Sequence, residues 1–275
     1  MNAAATQMRV LFIGDIVGSP GRRIVKDRLH DIVAQRQIDL TIANCENAAS
    51  GFGITPRLVE ELLDAGCEVL SGGNHIFDRK EILDYFPHQP RLLRPANYPA
   101  EAPGSGLFVG AGKNGVRFAV LNIQGRVFMP ALDDPFRVAD RELARIPEDV
   151  RFVLVDHHAE TTSEKIAMGW YLDGRVSAVV GTHTHVATAD ERVLPGGTAY
   201  ITDVGMTGPH DGVIGMERTG IIRKFLDQLP ARFAVAEGDI QMNCVLIETD
   251  QAAALAGRAH APATAISRLC FRLDP

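Results

Sequence analysis

The sequence predicts an α/β fold in which two packed mixed β-sheets carry helices on their outer faces. Three observations predict it. Strand-like and helix-like periods alternate through the first half of the chain. Strand-like runs dominate after Thr198. Several apolar runs end in a short polar cluster. Alternation of this kind requires parallel strands joined by right-handed crossovers, and the apolar faces it creates are buried by layering sheet on sheet and helix on sheet.

Residues 8–13 read as the first strand. Ser19 and Pro20 then offer an N-cap and a first-turn proline, and Ile24, Val25, Leu29, Ile32 and Val33 recur at helical period. Residues 38–43 form the next strand, and Thr55-Pro56 opens a second helix with Leu58, Val59, Leu62 and Leu63 inside and Gly66 at its end. A short strand at 68–70 follows, and Asp78 and Glu81 have the spacing of a capping box for a third helix. From Pro87 to Gly112 proline and glycine are dense, as in a long irregular connection. Residues 107–109 and 117–123 read as paired strands, 134–146 as a helix, and 151–155 and 176–180 as strands. Between those two strands lies a helix capped by Thr161 and Glu164. Strands at 199–202, 232–235, 243–247 and 267–273 complete the series. Residues 1–7 are expected to be a disordered tail and 8–275 a single domain.

Composition narrows the function. At 275 residues and 46% hydrophobic content the chain can bury a substantial core. A net charge of −6 with no basic block argues against duplex nucleic acid as a partner, but not against a small phosphorylated ligand. Cys45, Cys67, Cys244 and Cys270 form no CxxC pair, so a zinc ribbon or redox motif is not expected. No stretch reaches the ~18 apolar residues of a membrane span. A cytoplasmic location without membrane contact is the expectation, and the chain is expected to form a homo-oligomer.

The polar clusters are Gly14-Asp15, Glu46-Asn47, Gly73-Asn74-His75, Asp156-His157-His158 and Gly181-Thr182-His183-Thr184-His185. Ligands in open α/β sheets bind beyond the carboxyl ends of the strands. His183 and His185, at i and i+2 after an apolar run, are expected to leave the strand on one side. Oxygen and nitrogen donors suit Mn²⁺, Fe²⁺, Zn²⁺ or Mg²⁺ rather than a thiolate site. Six or seven donors exceed what one catalytic zinc takes and suit two ions sharing a carboxylate.

These blocks, in this order, resemble the calcineurin-like metallophosphoesterases, and within them the YmdB-type bacterial phosphodiesterases. The likeness runs from Arg9 to about Gly238 and includes the stretches 12–22, Arg94-Pro95-Ala96-Asn97 and 199–209. It implies an α/β/β/α sandwich and two divalent ions, Mn or Fe before Mg or Zn. By resemblance Asp15, Asn47 and His185 would hold one ion, Asn74, His158 and His183 the other, and Glu46 would bridge them. Asn47 would replace the histidine that the wider superfamily carries where this chain has Val17. His75 would be the general acid, with a third-ligand role as the alternative. The implied activity is hydrolysis of 2′,3′-cyclic nucleotides by a metal-bridging hydroxide. Alternatives are a phosphomonoesterase, a 3′,5′-cyclic nucleotide phosphodiesterase, or a regulatory protein that binds a nucleotide or RNA end at the metals.

Two positions depart from the subfamily pattern. Cys45 stands where glycine is expected, as a packing residue or an extra soft ligand. His157 stands where an aromatic is expected. Adjacent strand residues face opposite ways, so only one of His157 and His158 can face the metals, and the pattern His158-Ala159-Glu160 favours His158. Gly18-Ser19-Pro20-Gly21 resembles a phosphate-cradling loop, Arg126 is either a phosphate fork or a solvated side chain, and His210 is expected to line the pocket without being a ligand.

Overall fold

The computed structural model describes residues 7–112, 115–255 and 260–273. The expected tail lies outside them except for Gln7, which opens the first strand, β1 (Gln7–Ile13). β2 (Asp15–Ile16), α1 (Gly18–Arg36), β3 (Leu40–Asn44), α2 (Pro56–Asp64) and β4 (Val69–Ser71) follow. β1, β3 and β4 pair in parallel, as the alternation requires. The second half contributes β5 (Leu107–Ala111), β6 (Arg117–Gln124), α3 (Pro135–Leu143), β7 (Phe152–His158), α4 (Thr162–Leu172), β8 (Ala178–Thr182), β9 (Arg192–Val193) and β10 (Ala199–Ile201). β11 (Met206–Pro209), α5 (Arg218–Asp227), β12 (Ile240–Asp250), α6 (Gln251–Leu255) and β13 (Ala263–Arg272) complete the chain.

The first sheet has seven strands. Its path is β2-β11-β12-β1-β3-β4, with β13 on the other edge of β12. The second has six, in the order β5-β6-β7-β8-β10-β9, and its centre, β6-β7-β8-β10, is parallel. Side chains alternate across each strand, and this sorts the core into three layers. From β1, Leu11 and Ile13 pack outward with Ile24 and Leu29 of α1 and Leu58 and Leu62 of α2. Met8, Val10 and Phe12 point inward and meet Val120, Phe152, Leu154 and Val180 of the second sheet. On the far side Val153, Val155 and Val179 pack under Val138 of α3 and Met168 of α4. The architecture is the two-sheet, helix-flanked sandwich that the sequence predicts.

Local signals govern where nothing tertiary competes with them. Thr55 caps α2, its side chain accepting from the Leu58 N–H, with Pro56 in the first turn. Asp134 caps α3 in the same way. Ser19 does not cap α1: the helix begins at Gly18, and the Gly21 N–H already bonds to the Val17 carbonyl, so Ser19 lies inside the first turn. The Gly18 N–H donates to the Asn47 carbonyl, so this amide serves the neighbouring loop rather than a phosphate. The third helix is absent. Residues Lys80–Ile82 and Phe86–His88 form only short 3₁₀ turns, because Pro87 interrupts the helical ladder and the Asp78 carboxylate is engaged by His75. At α4 Thr161 makes no side-chain cap, and the Glu164 carboxylate instead accepts the Arg126 and Val127 N–H groups. The strand expected at 232–235 is not formed. Only Val235 makes an isolated bridge, to Met216.

One buried ion pair fixes the end of β8. Lys165 Nζ of α4 lies 2.6 Å from Asp203 Oδ2, and both side chains are 1% exposed. The same carboxylate accepts from the Thr184 N–H at 3.1 Å and hydroxyl at 2.8 Å, and its other oxygen from the Gly205 N–H. Breaking a buried pair from one side leaves an uncompensated charge, which costs about 3–5 kcal/mol. Lys165→Met is therefore expected to lower the urea midpoint by that free energy at unchanged m-value. A loss below about 1 kcal/mol, the range of a surface pair, would show that the pair is not desolvated.

Candidate metal centre

The inter-sheet seam is apolar through its length and polar at the carboxyl end of its parallel strands. In β7, Phe152 and Leu154 face the seam, so Asp156 and His158 do too, while His157 faces the helical side. His157 is fully buried, both ring nitrogens lack a hydrogen-bond partner among the described residues, and burial holds its pKa down at about 3. Cys45 also turns away. It sits in the apolar cluster beside Cys67 and Ile54, where burial and then the adjacent Glu46 charge raise its pKa well above the usual thiol value. That environment keeps it a packing residue rather than a soft ligand.

The remaining polar clusters converge. Around His158 Nε2 stand Glu46 Oε1 and Asn74 Oδ1, each at 3.0 Å, and His183 Nδ1 at 3.1 Å. Beside them, Asn47 Nδ2 lies 3.1 Å from His185 Nε2 and 3.4 Å from Glu46 Oε1. Asp15 Oδ1 lies 3.9 Å from His185 Nε2 and 3.9 Å from His158 Nδ1. Glu46 thus touches both groups. Its other oxygen accepts the His75 N–H at 2.9 Å. Gly73 makes this approach possible, since a Cβ there would stand 2.2 Å from His158 Nε2 and 2.5 Å from Glu46 Oε2.

Each imidazole has one nitrogen bonded outward and the other turned inward. His158 Nδ1–H donates to Thr182 Oγ1 at 2.9 Å, and that hydroxyl donates to Asp156 Oδ1 at 2.7 Å. His183 Nε2–H donates to Glu160 Oε2 at 2.9 Å. His185 Nδ1–H donates to the Ile214 carbonyl at 3.0 Å. Outer partners of this kind fix the tautomer and ring orientation of metal-bound histidines. Asp156, Thr182 and Glu160 stand within the polar clusters of the sequence, but their roles as outer partners, and that of the Ile214 carbonyl, carry no signal there because they depend on contacts between distant segments.

His183 and His185 do share a side, but not by strand alternation. β8 ends at Thr182, and both residues lie beyond it in left-handed backbone, with φ of 101° and 64°. His75 lies on the rim, its Nδ1 2.8 Å from Asp78 Oδ2 and its ring edge-on to Phe52 at 5.1 Å. Arg126 pairs instead with Asp134, at 2.8 Å. His210 borders a neighbouring cavity, where its Nδ1–H donates to the Gly208 carbonyl and its Nε2 accepts from Asn243.

The electrostatics fit a cation. Asp15 Oδ1 is buried without a hydrogen-bond partner among the described residues, and burial raises the pKa of this carboxyl against the pull of His185 and His158. Burial also opposes the charge on Glu46, but the attraction and hydrogen bond of His158 prevail and hold it at about 2. Burial disfavours charge on His158, yet Glu46, Asp15 and Asp156 raise it to about 9. Burial, followed by the His158 charge, lowers His183 to about 3. Glu46, His158 and His183 each offer one donor atom within 4.8 Å of the others. Donors at about 2.1 Å from one ion and at right angles stand about 3 Å apart, which is the spacing found around His158 Nε2.

Comparison with known proteins places these features in a family. The model of the YmdB-like proteins matches residues 11–260. A 2′,3′-cyclic-nucleotide 2′-phosphodiesterase of Bacillus subtilis (strain 168) is 52% identical over 244 residues, 88% of this chain and 92% of the relative. A crystal structure of a hypothetical protein from Thermus thermophilus superposes with a TM-score of 0.86 at 41% identity, covering 96% of this chain and 99% of that one. The crystal structure of a Mycoplasma pneumoniae phosphatase gives 0.88 at 33% identity, over 97% and 94%.

The His158 proton bears on metal uptake. A folded-state pKa of about 9, above the ordinary histidine value of 6.5, keeps the metal-free imidazole protonated at pH 7. Its stabilising contribution is complete below pH 6.5 and is lost as pH rises through about 9. A cation needs the neutral ring, so binding must expel that proton. Calorimetric titration of apoprotein with Mn²⁺ at pH 7, in buffers of different ionisation enthalpy, is expected to show release of about one proton from this ring. Binding enthalpies independent of the buffer would remove His158 from the ligand set.

Proposed function

The chain belongs to the YmdB-like protein family and is a phosphoric ester hydrolase, and we propose that its substrates are 2′,3′-cyclic nucleotides. The observation that carries the reading is the juxtaposition, in one cavity, of the carboxylate–imidazole cluster and the His75–Asp78 pair. The activity of the Bacillus subtilis relative supports the choice of ester. Asp15, Asn47 and His185 would hold one divalent ion, Asn74, His158 and His183 a second, with Glu46 shared. Such ions supply a water that is nucleophilic near neutral pH and positive charge against the phosphoryl oxygens.

The residues of the chain do the rest. His75 donates its Nδ1 proton to Asp78, which fixes the ring so that Nε2 serves the cavity. As water adds to phosphorus it releases one proton to solvent and the P–O2′ bond breaks. His75 Nε2–H then protonates the departing O2′, and the product is a nucleoside 3′-phosphate with a free 2′-hydroxyl. The Phe52 ring packs at 72° against the His75 ring, with centroids 5.1 Å apart. Thr182, Glu160 and the Ile214 carbonyl keep three ligand rings turned inward before substrate arrives, which is the preorganisation that electrostatic catalysis requires.

Metal-loaded protein is expected to hydrolyse 2′,3′-cyclic AMP selectively over 3′,5′-cyclic AMP, read by chromatography of the products. Equal turnover of both rings, or of neither, would refute the substrate assignment. His75→Ala is expected to retain its metal content, measured by elemental analysis, while kcat falls at least about tenfold, the lower range of general acid catalysis. Undiminished turnover in that variant would take His75 out of the reaction.

A further inference from the structure

The cavity over the cluster has an apolar lining of which the phosphoryl chemistry uses only Phe52, against His75. Its volume is about 360 Å³, within the range of small-molecule sites. Its lining combines the polar Glu46, Asn47, His75, Glu160, His183 and His185 with the apolar Phe52, Ile214, Met216, Ile221 and Phe233. The apolar lining residues come from the loop after β3, the turn after β11, helix α5 and the segment that follows it. Apolar residues beside a cluster that would take an anionic phosphoryl group once it held divalent ions imply a substrate with one charged end and one apolar end.

Three polar groups of the lining are already engaged. The Phe52 carbonyl accepts from Arg79 Nε at 3.0 Å, the Ile214 carbonyl from His185, and the Thr184 hydroxyl donates to Asp203. A flat ring lying against the apolar residues would be held by its faces. Phe233 suits that role: Lys224 Nζ lies 5.1 Å from its ring centroid, a cation–π contact that supports the phenyl group from α5. Ile214 supplies a second signal. It is 51% exposed, and its φ of 46° is strained for a β-branched residue. Strain of this kind persists where the surroundings impose it, and it clusters at ligand sites.

We infer that the wall formed by Phe233, Ile214, Met216 and Phe52 is the nucleobase subsite, and that it accepts purines and pyrimidines alike. This rests on the cyclic-nucleotide reading above. In a 2′,3′-cyclic phosphate the base is attached at C1′, next to the carbon that carries O2′. Base and phosphorus are therefore within one sugar ring of each other, and a cavity with its anion site and apolar wall in contact can take both. Every base has a π-face, so stacking gives affinity without sequence preference.

The test uses the metal-loaded full chain and three substrates: 2′,3′-cyclic AMP, 2′,3′-cyclic UMP and the base-free methyl ribofuranoside 2′,3′-cyclic phosphate. Wild-type kcat/KM is expected to agree within about tenfold between the two nucleotides, with KM for the base-free ester about tenfold or more higher, the range of base–aromatic stacking. Phe233→Ala is expected to erase the KM difference between nucleotide and base-free ester, and Phe233→Trp, which keeps a stacking face, to restore it. The subsite is refuted if wild-type enzyme hydrolyses base-free ester and nucleotide with the same KM, or if Phe233→Ala keeps the difference. It is also refuted if one base is preferred about a hundredfold, which would require edge recognition. Hydrolysis of none of the three by metal-loaded wild type would overturn the cyclic-nucleotide reading itself, and the subsite with it.

Discussion

A single buried carboxylate, Glu46, sets the terms for the end of the inter-sheet seam. It stands on the loop after β3 of the first sheet, and its main partner, His158, ends β7 of the second. An unpaired carboxylate in that position carries a desolvation penalty of several kcal/mol. The surrounding structure meets it with charge and donors: the His158 ring, the His75 N–H and the Asn47 amide. The backbone is held as well, since the Glu46 N–H donates to Asn44 Oδ1. Asn44 and Ser71 of the first sheet both reach Asp156 of the second. Below this level the sheets meet through aliphatic and aromatic side chains with no directional preference. At this level they meet through hydrogen bonds that permit one arrangement, so the polar cap fixes the relative position of two layers that apolar packing alone would hold less specifically.

That organisation explains what can be read in the chain without its structure. Asp15, Glu46, Asn74, His158 and His183 are legible because parallel strands deliver their next residues to one edge, so position after an apolar run is itself the signal. The central strands are legible because β1 and β7 carry continuous apolar runs, as strands buried on both faces do. Asp78 misleads because residues three apart serve a helix cap and a histidine–carboxylate pair equally well, and only the fold decides between them. β2 and β11 are short and rest on pairing with each other and with β12, so no local pattern marks them. α5 buries none of its residues, and without a core-facing stripe its apolar positions declare no helical period. Thr182 and Glu160 work by touching histidines on other segments, and Asp156 by accepting from Thr182, none of which sequence spacing encodes.

The loop after β8 shows how chemistry is favoured over local comfort. A strand continuing past Thr182 would turn His183 and His185 to one side without conformational strain, yet the chain leaves the strand and places both in left-handed backbone. Leaving the strand allows the two rings to serve different donor groups: His183 meets His158, while His185 meets Asn47. Two side chains on one straight strand face would point in parallel. The strain needs an anchor, and the anchor is Asp203, which receives the Thr184 N–H and hydroxyl between the two histidines and is held from behind by Lys165. Ile214, also in left-handed backbone, presents its carbonyl to His185 and its side chain to the cavity. Backbone strain, a buried ion pair and the ligand rings therefore form one mechanical unit. Relaxing any member of it would release the imidazole orientations that the proposed cation site requires, so stability at this edge and the geometry of the cluster are coupled.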